Sequence, residues 1–433
     1  MRHALFVTFQ YPPDASSSGV LRTLKYTRYL AEHGWRVTVL SVATAAYETV
    51  DEATLADIPP NVRVVRTPYL DSARHLSLRG RYLALTAVPD RFVGWLPWAV
   101  AAGLRIARAD PVDLVYSTSP PATAHLVAWR ISRRLRKPWV ADFRDPWFED
   151  PPEPGAPAGK LFRGIDRRLE AGVVTAARHV VASTESLRDQ FAARYAQLDG
   201  AKFDFIPNGY DEADFAPLGA DEKSTASASA ASSGNAPVCM TIVHAGSINP
   251  DFRDPMPLVH AIARASDRGL LEPQHIRLRF LGGGPYAQAP ALQRALAGSA
   301  LADIVQLLPR LPYAQALAEL ARADVLLLLQ ASEDTRSLVP AKLYEYLRMR
   351  KPVLALTLPG ESSALLARTG GGLVVDPADG DALVQAVASL YRQWQEETLG
   401  SFTAQSALLE RYDRRALASQ LAATFARALD ATG

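Results

Sequence analysis

Cysteine is almost absent from this chain, with a single residue, Cys239, in 433. A lone thiol makes no internal disulfide, and its setting in the apolar run VCMTIVHAG predicts a buried strand position rather than a catalytic one. No uninterrupted apolar stretch approaches the ~18 residues of a membrane span. Excess charge of either sign is missing as well: 47 basic and 45 acidic residues leave a formal net of +2. With the arginines dispersed along the chain, a nucleic-acid polymer is not the expected partner. The first residues, MRHALFVTFQ, lack the basic start and extended apolar region of a signal peptide and read as a core strand, so a cytoplasmic place is expected. Contact with the inner face of the plasma membrane stays open. No D-x-D pair follows a suitable strand, so chemistry without a metal or a resident cofactor is expected. LGGGPY lacks the G-x-G-x-x-G order of a nicotinamide-dinucleotide turn.

What is present is a repeated alternation of short apolar runs and amphipathic stretches. ALFVTF, the helical GVLRTLKYTRYLAEHGW with Val20, Leu21, Leu24 and Leu30 on one stripe, and RVTVLS form one βαβ unit. NVRVVRTPY, VDLVYSTSP and KPWVADFRD predict further strands, and helices are expected over about 82–108 and 122–135. The chain is long enough for two domains of roughly 200 residues each. The expected fold class is α/β, built from two doubly wound, Rossmann-like domains. Residues 1–217 form the first domain, 218–236 a small polar segment with little to bury, and 237–400 the second. Residues 401–433 form a terminal helical segment.

Candidate chemistry sits where strands end and helices begin, because helix N termini there present unpaired N–H groups to anions. In the second half, RSLVPAKLYEYLRMRKPVLAL places Lys342, Leu343 and Glu345 at a helix start before a buried strand. HAGSINPDFRDP adds His244, Gly246 and Arg253, and LGGGP adds Gly283 and Gly284. Arg253 and Lys342 can stabilise a departing diphosphate, and the Glu345 carboxylate can accept from ribose hydroxyls. In the first half, Gly19 opens a helix after YPPDASSS. Ser119 ends one strand, and ADFRDPW brings Asp142, Arg144 and Asp145 to the end of the next. Those three can position a sugar or acceptor hydroxyl, or form an Asp-Arg network that stabilises the loop. Between Arg81 and Arg108, Phe92, Trp95 and Trp98 are interleaved with arginines, a pattern that fits a membrane interface, an acceptor cleft or a core helix.

The segment from Arg336 to Leu356 resembles the donor-site signature of the retaining, family 4 glycosyltransferases of GT-B fold. Glu345 stands as that signature's second glutamate, and Lys351-Pro352-Val353 as its strand start. Counting back by the motif's spacing puts Ser337, not a glutamate, in the first position. The Gly19 loop, LGGGP and IPNGYD also resemble segments of that family. The resemblance implies two domains facing across a cleft, with the terminal helix packing back on the first. It also implies a nucleotide-diphosphate sugar as donor, transfer with retention, and Asp145, Arg253 and Lys342 in catalytic roles. Expected acceptors are a lipid-linked glycan, a saccharide or a small molecule. Surface polysaccharide or glycolipid assembly is the favoured setting, with small-molecule tailoring or a non-catalytic sugar-nucleotide binder as alternatives.

Overall fold

The computed structural model describes residues 1–17, 19–79, 82–147, 160–218, 239–249, 253–297 and 300–430. Residues 219–238, which hold nearly all of the polar segment expected to be a linker, and Ser18 beside Gly19 lie outside them. The chain divides into two compact units, Met1–Gly209 with Arg414–Gly433, and Tyr210–Asp413.

The first unit contains seven strands: β1 (Arg2–Thr8), β2 (Trp35–Val42), β3 (Arg63–Thr67), β4 (Leu114–Ser119), β5 (Trp139–Phe143), β6 (His179–Ala182) and β7 (Phe203–Phe205). All pair in parallel, in the order β3-β2-β1-β4-β5-β6-β7. The second unit repeats the plan with β8 (Met240–Ala245), β9 (Ile276–Leu281), β10 (Val305–Leu308), β11 (Val325–Gln330), β12 (Val353–Thr357) and β13 (Gly372–Val375). Their order is β10-β9-β8-β11-β12-β13, again parallel. Each sheet therefore winds outward from a pair of central strands, β1/β4 and β8/β11, and the loops at the C-terminal ends of such a pair open a crevice. Central strands covered by helices on both faces need unbroken apolar runs. VLLLLQ in β11, buried at every position, is such a run.

The helix Gly19–Tyr29 is buried at nearly every residue, polar ones included. An amphipathic surface helix would not be. The cause is the terminal helix Arg414–Asp430, which packs on it and brings Phe425 edge-on to Trp35 at 5.0 Å. Domain limits also differ from the sequence reading. Tyr210 and Phe215 bury themselves with Tyr344, Leu409 and Tyr412, so the second unit starts at Tyr210, and the segment up to Asp413 belongs to it. Cys239 precedes β8 rather than lying within it, half-buried.

The helix expected over about 82–108 begins only at Leu96 and runs to Ala109. Before it the chain forms short 3-10 turns at Ala84–Ala87 and Val93–Trp95. Pro89 and Pro97 limit helical hydrogen bonding here. A side chain at Gly94 would lie 2.5 Å from Leu70 Cβ, so this turn is fixed by close packing.

Candidate functional site

In the second unit the crevice-forming loops bring several predicted residues together. The helix Ala341–Arg348 starts after Pro340, whose φ of −64° suits a helix entrance. Two of its side chains hold the backbone of one residue at the end of β8 from both sides: Lys342 Nζ donates to the Ala245 carbonyl at 2.5 Å, and the Ala245 N–H donates to Tyr346 Oη at 3.0 Å. Gly246 follows with φ of +131°, and a side chain there would lie 2.5 Å from Lys342 Nζ. Only glycine leaves the lysine that approach.

His244 is fully buried, and its Nδ1 lies 2.9 Å from the Leu327 carbonyl in β11. A carbonyl only accepts, so Nδ1 carries the proton and Nε2 offers a lone pair. That Nε2 is buried without a partner. Burial, reinforced by Lys342, holds the imidazole pKa well below its usual value. Burial likewise draws the Lys342 ammonium down to about 7, Arg253 adding to the shift and Glu345 opposing it. Arg253 is half-buried, with a guanidinium nitrogen 3.4 Å from Ser247 Oγ. The result is a cluster of cationic donors beside an imidazole lone pair and a helix N terminus.

Glu345 is 8% exposed, and its Oε1 accepts from Tyr313 Oη at 2.8 Å. Tyr313 opens the helix Tyr313–Ala321 after β10. Neither Tyr313 nor Tyr346 stands out in the sequence, although Tyr313 occupies the same kind of helix-start position as Lys342. Leu343 requires a correction: it is 0% exposed in the apolar core, so its side chain meets no ligand. Gly283 is closed in by Phe280, Leu307 and Ile248, whereas the nearest neighbour of a side chain at Gly284 would be 3.8 Å away. Glu333, four residues before Ser337, is exposed and pairs with Arg336 at 2.8 Å.

In the first unit, Arg144 organises the ends of β4 and β5. Its Nε donates to the Ser119 carbonyl at 2.7 Å, and Nη2 to the Pro120 carbonyl at 2.9 Å and Gln10 Oε1 at 2.6 Å. Its other terminal nitrogen lies where a side chain at Gly19 would begin, 1.2 Å from that Cβ position. Gly19 therefore admits a guanidinium to the start of its helix. Asp145 is half-buried beside Arg144; burial pushes its carboxyl up while Arg144 opposes the shift.

Asp142 lies deeper, fully buried. It accepts from Arg22 at 2.8 and 3.0 Å, Tyr116 at 2.6 Å and Thr118 at 3.0 Å. Burial alone would raise its pKa, but the Arg22 charge and these hydrogen bonds hold it below the usual carboxylate value. Arg22 also donates to the carbonyls of Ile206 and Pro207 at 2.8 and 2.6 Å, so Asp142 serves an internal network rather than the open crevice. Trp95 is a second correction. It is 0% exposed, packs on Phe9 at 5.8 Å and donates its indole N–H to Thr67 Oγ1 at 2.7 Å, whereas Trp98 is 38% exposed. The two tryptophans form no common surface patch.

Among the described residues, no group of three or more His, Cys, Asp or Glu side chains is placed to hold a metal ion. Similar folds occur in solved structures. Anabaena HepE in complex with UDP is 16% identical with a TM-score of 0.65, covering 99% of this chain and 100% of that one. A glycosyltransferase from Rickettsia africae is 13% identical with a TM-score of 0.64, covering 99% of each chain. A UDP-GlcNAc 2-epimerase from Neisseria meningitidis is 12% identical with a TM-score of 0.55, covering 98% and 100%. No curated protein matches the chain by sequence. Residues 19–209 match the glycosyl transferase 4-like domain, and residues 240–393 match the glycosyl transferases group 1 family. With one match in each unit, the chain belongs to the family 4-like glycosyltransferases of GT-B fold.

Proposed function

We propose that this glycosyltransferase moves a sugar from a nucleotide-diphosphate sugar to an acceptor hydroxyl with retention at the anomeric carbon. The observation that carries the reading is the Lys342 ammonium. It is held over Gly246 at the end of β8, beside Arg253 and a helix N terminus. A diphosphate is the ligand that such a cluster accommodates, and its charge grows as the sugar bond breaks. Glu345, steadied by Tyr313, is positioned for ribose hydroxyls. The acceptor hydroxyl attacks the anomeric carbon on the face the diphosphate leaves, through a short-lived oxocarbenium-like pair. The diphosphate departs with the bonding electrons, and the acceptor's proton passes to it. In the first unit, Arg144 and Asp145 are the side chains we assign to acceptor or sugar positioning, with the Gly19 helix start beside them.

The setting we favour is surface polysaccharide or glycolipid assembly. Thermal unfolding and donor hydrolysis across UDP-, GDP- and dTDP-sugars test the assignment. Stabilisation by one nucleotide class, with slow release of free sugar, is expected. Neither effect from any donor would overturn the reading. Stabilisation without turnover on any acceptor would instead describe a sugar-nucleotide binding protein.

A further inference from the structure

Thirteen large apolar side chains are exposed among the described residues, and six of them fall between residues 76 and 98. Leu76 is 48% exposed, Leu78 79%, Leu83 76%, Leu85 66% and Trp98 38%. Elsewhere such residues stand singly or nearly so, which is ordinary for a protein surface. Here they gather on one excursion between β3 and the helix Leu96–Ala109.

The base of this excursion is well anchored. Ser72 N–H donates to the Arg91 carbonyl at 2.8 Å, and Ser72 Oγ donates to the Thr86 carbonyl. Asp90 Oδ2 accepts from the Thr123 N–H at 2.7 Å, and Trp95 is locked into the core. The inward apolar groups already dock the segment, so folding leaves the outward leucines with no role. Exposed apolar groups that folding does not require point to a surface made for a partner.

Charge selects the partner. Between residues 72 and 108 the sequence holds six arginines and one acidic residue, Asp90, in a chain whose formal net charge is only +2. Asp90 is engaged as a helix cap, and Arg91 pairs with Glu48 at 3.0 Å and Asp71 at 3.3 Å. Arg79, Arg105 and Arg108 are exposed. On the helix Leu96–Ala109, Trp98, Ala101, Arg105 and Arg108 follow one exposed stripe, with the aromatic residue at the start and the cations along the following turns. Exposed leucines and a tryptophan interspersed along the chain with exposed arginines suit an anionic bilayer: apolar tips enter the headgroup boundary while guanidinium groups meet lipid phosphates. No helix among the described residues is long and apolar enough to cross a membrane, so this contact is superficial.

We propose that the excursion carrying Leu76, Leu78, Leu83 and Leu85, together with Trp98 and the arginines Arg79, Arg105 and Arg108, is a docking surface for anionic membrane lipid. It bears on where the acceptor is met and does not depend on which sugar is moved. Flotation of the full chain with vesicles of phosphatidylcholine, alone or mixed with phosphatidylglycerol, tests it. The protein should float with the anionic vesicles at low salt and remain behind with the neutral ones. Leu78→Glu with Leu83→Glu should lower the bound fraction on the order of tenfold or more. Arg105→Gln with Arg108→Gln should remove most of the preference for anionic lipid. Both variants should keep the wild-type melting temperature and donor response in solution, which separates failure here from failure of the transferase reading. Absence of flotation, or equal flotation of the leucine variant, would overturn the proposal. So would vesicle-independent self-association that this variant abolishes, because the covered face would then belong to a second copy.

Discussion

At the scale of single residues, Glu345 and Tyr313 make the most direct test of the donor site. Glu345→Gln removes a charged acceptor while keeping shape, and should weaken donor binding by about 1.5–3 kcal/mol. Tyr313→Phe leaves the carboxylate but removes the hydrogen bond to Oε1, a smaller loss of about 0.5–1.5 kcal/mol. Ser337→Ala should change little. Donor titration with thermal unfolding as control checks the order; equal affinities for wild type and Glu345→Gln would sink the ribose assignment. Lys342 adds a pH dependence. Its pKa lies near 7 in the free protein, and a bound diphosphate should raise it. The charged lysine is therefore fully present below that pH and lost above it. Donor affinity should be flat below pH 6 and fall by up to about tenfold per unit above 7. Calorimetry in buffers of different ionisation enthalpy should show proton uptake on binding near neutral pH, and a profile unchanged in Lys342→Met would exclude Lys342 as its source.

At the scale of elements, the alternation of strands and helices was legible because parallel strands covered on both faces must be apolar throughout. VLLLLQ in β11 and ALFVT in β1 have no competing interpretation as half-exposed strands. The helix ends that carry Lys342 and Gly19 were legible for the same reason, since the preceding strands fix where helices must start. Less legible was what each side chain touches. Composition between 82 and 108 suggested one long helix with an aromatic face. Close packing at Gly94 and the hydrogen bond from Trp95 to Thr67 turned half of it into a docked loop with a buried indole. Asp142 and Asp145 share a loop in the sequence, yet a partner 120 residues away, Arg22, draws only Asp142 inward. Breaking such a buried pair from one side is severe: Asp142→Asn should destabilise the first unit by about 3–5 kcal/mol. Because the folded Asp142 pKa is depressed, its contribution is complete above the ordinary aspartate pKa of about 4 and lost as pH falls below it. Urea unfolding at pH 7 and below pH 4 checks both statements. A variant as stable as wild type at pH 7 would show that the network is dispensable.

At the scale of the whole molecule, chain order and spatial order part company at the end. The last helix, Arg414–Asp430, belongs to the unit built from the first half of the chain, although residues up to Asp413 belong to the second. Leu417, Leu421 and Phe425 are fully buried there against Phe6, Trp35 and Tyr116. Outside that apolar seam, Arg427 pairs with Asp204 at 2.6 Å, an exposed contact that adds little. At about 1.5–3 kcal/mol for each buried side chain, these three alone contribute roughly 5–9 kcal/mol. A typical domain has only about 5–15 kcal/mol in total. A chain truncated after Asp413 should therefore lose the folded first unit while the second, whose cores involve none of these residues, stays intact. Differential scanning calorimetry should show the first unit's transition vanish and the second's persist. Hydrogen exchange should report loss of protection across β1, β2 and β4 but not across β8 and β11. If both transitions survive truncation with unchanged enthalpy, the terminal helix is an ornament on a self-sufficient sheet, and the near-complete burial of Gly19–Tyr29 needs another cause.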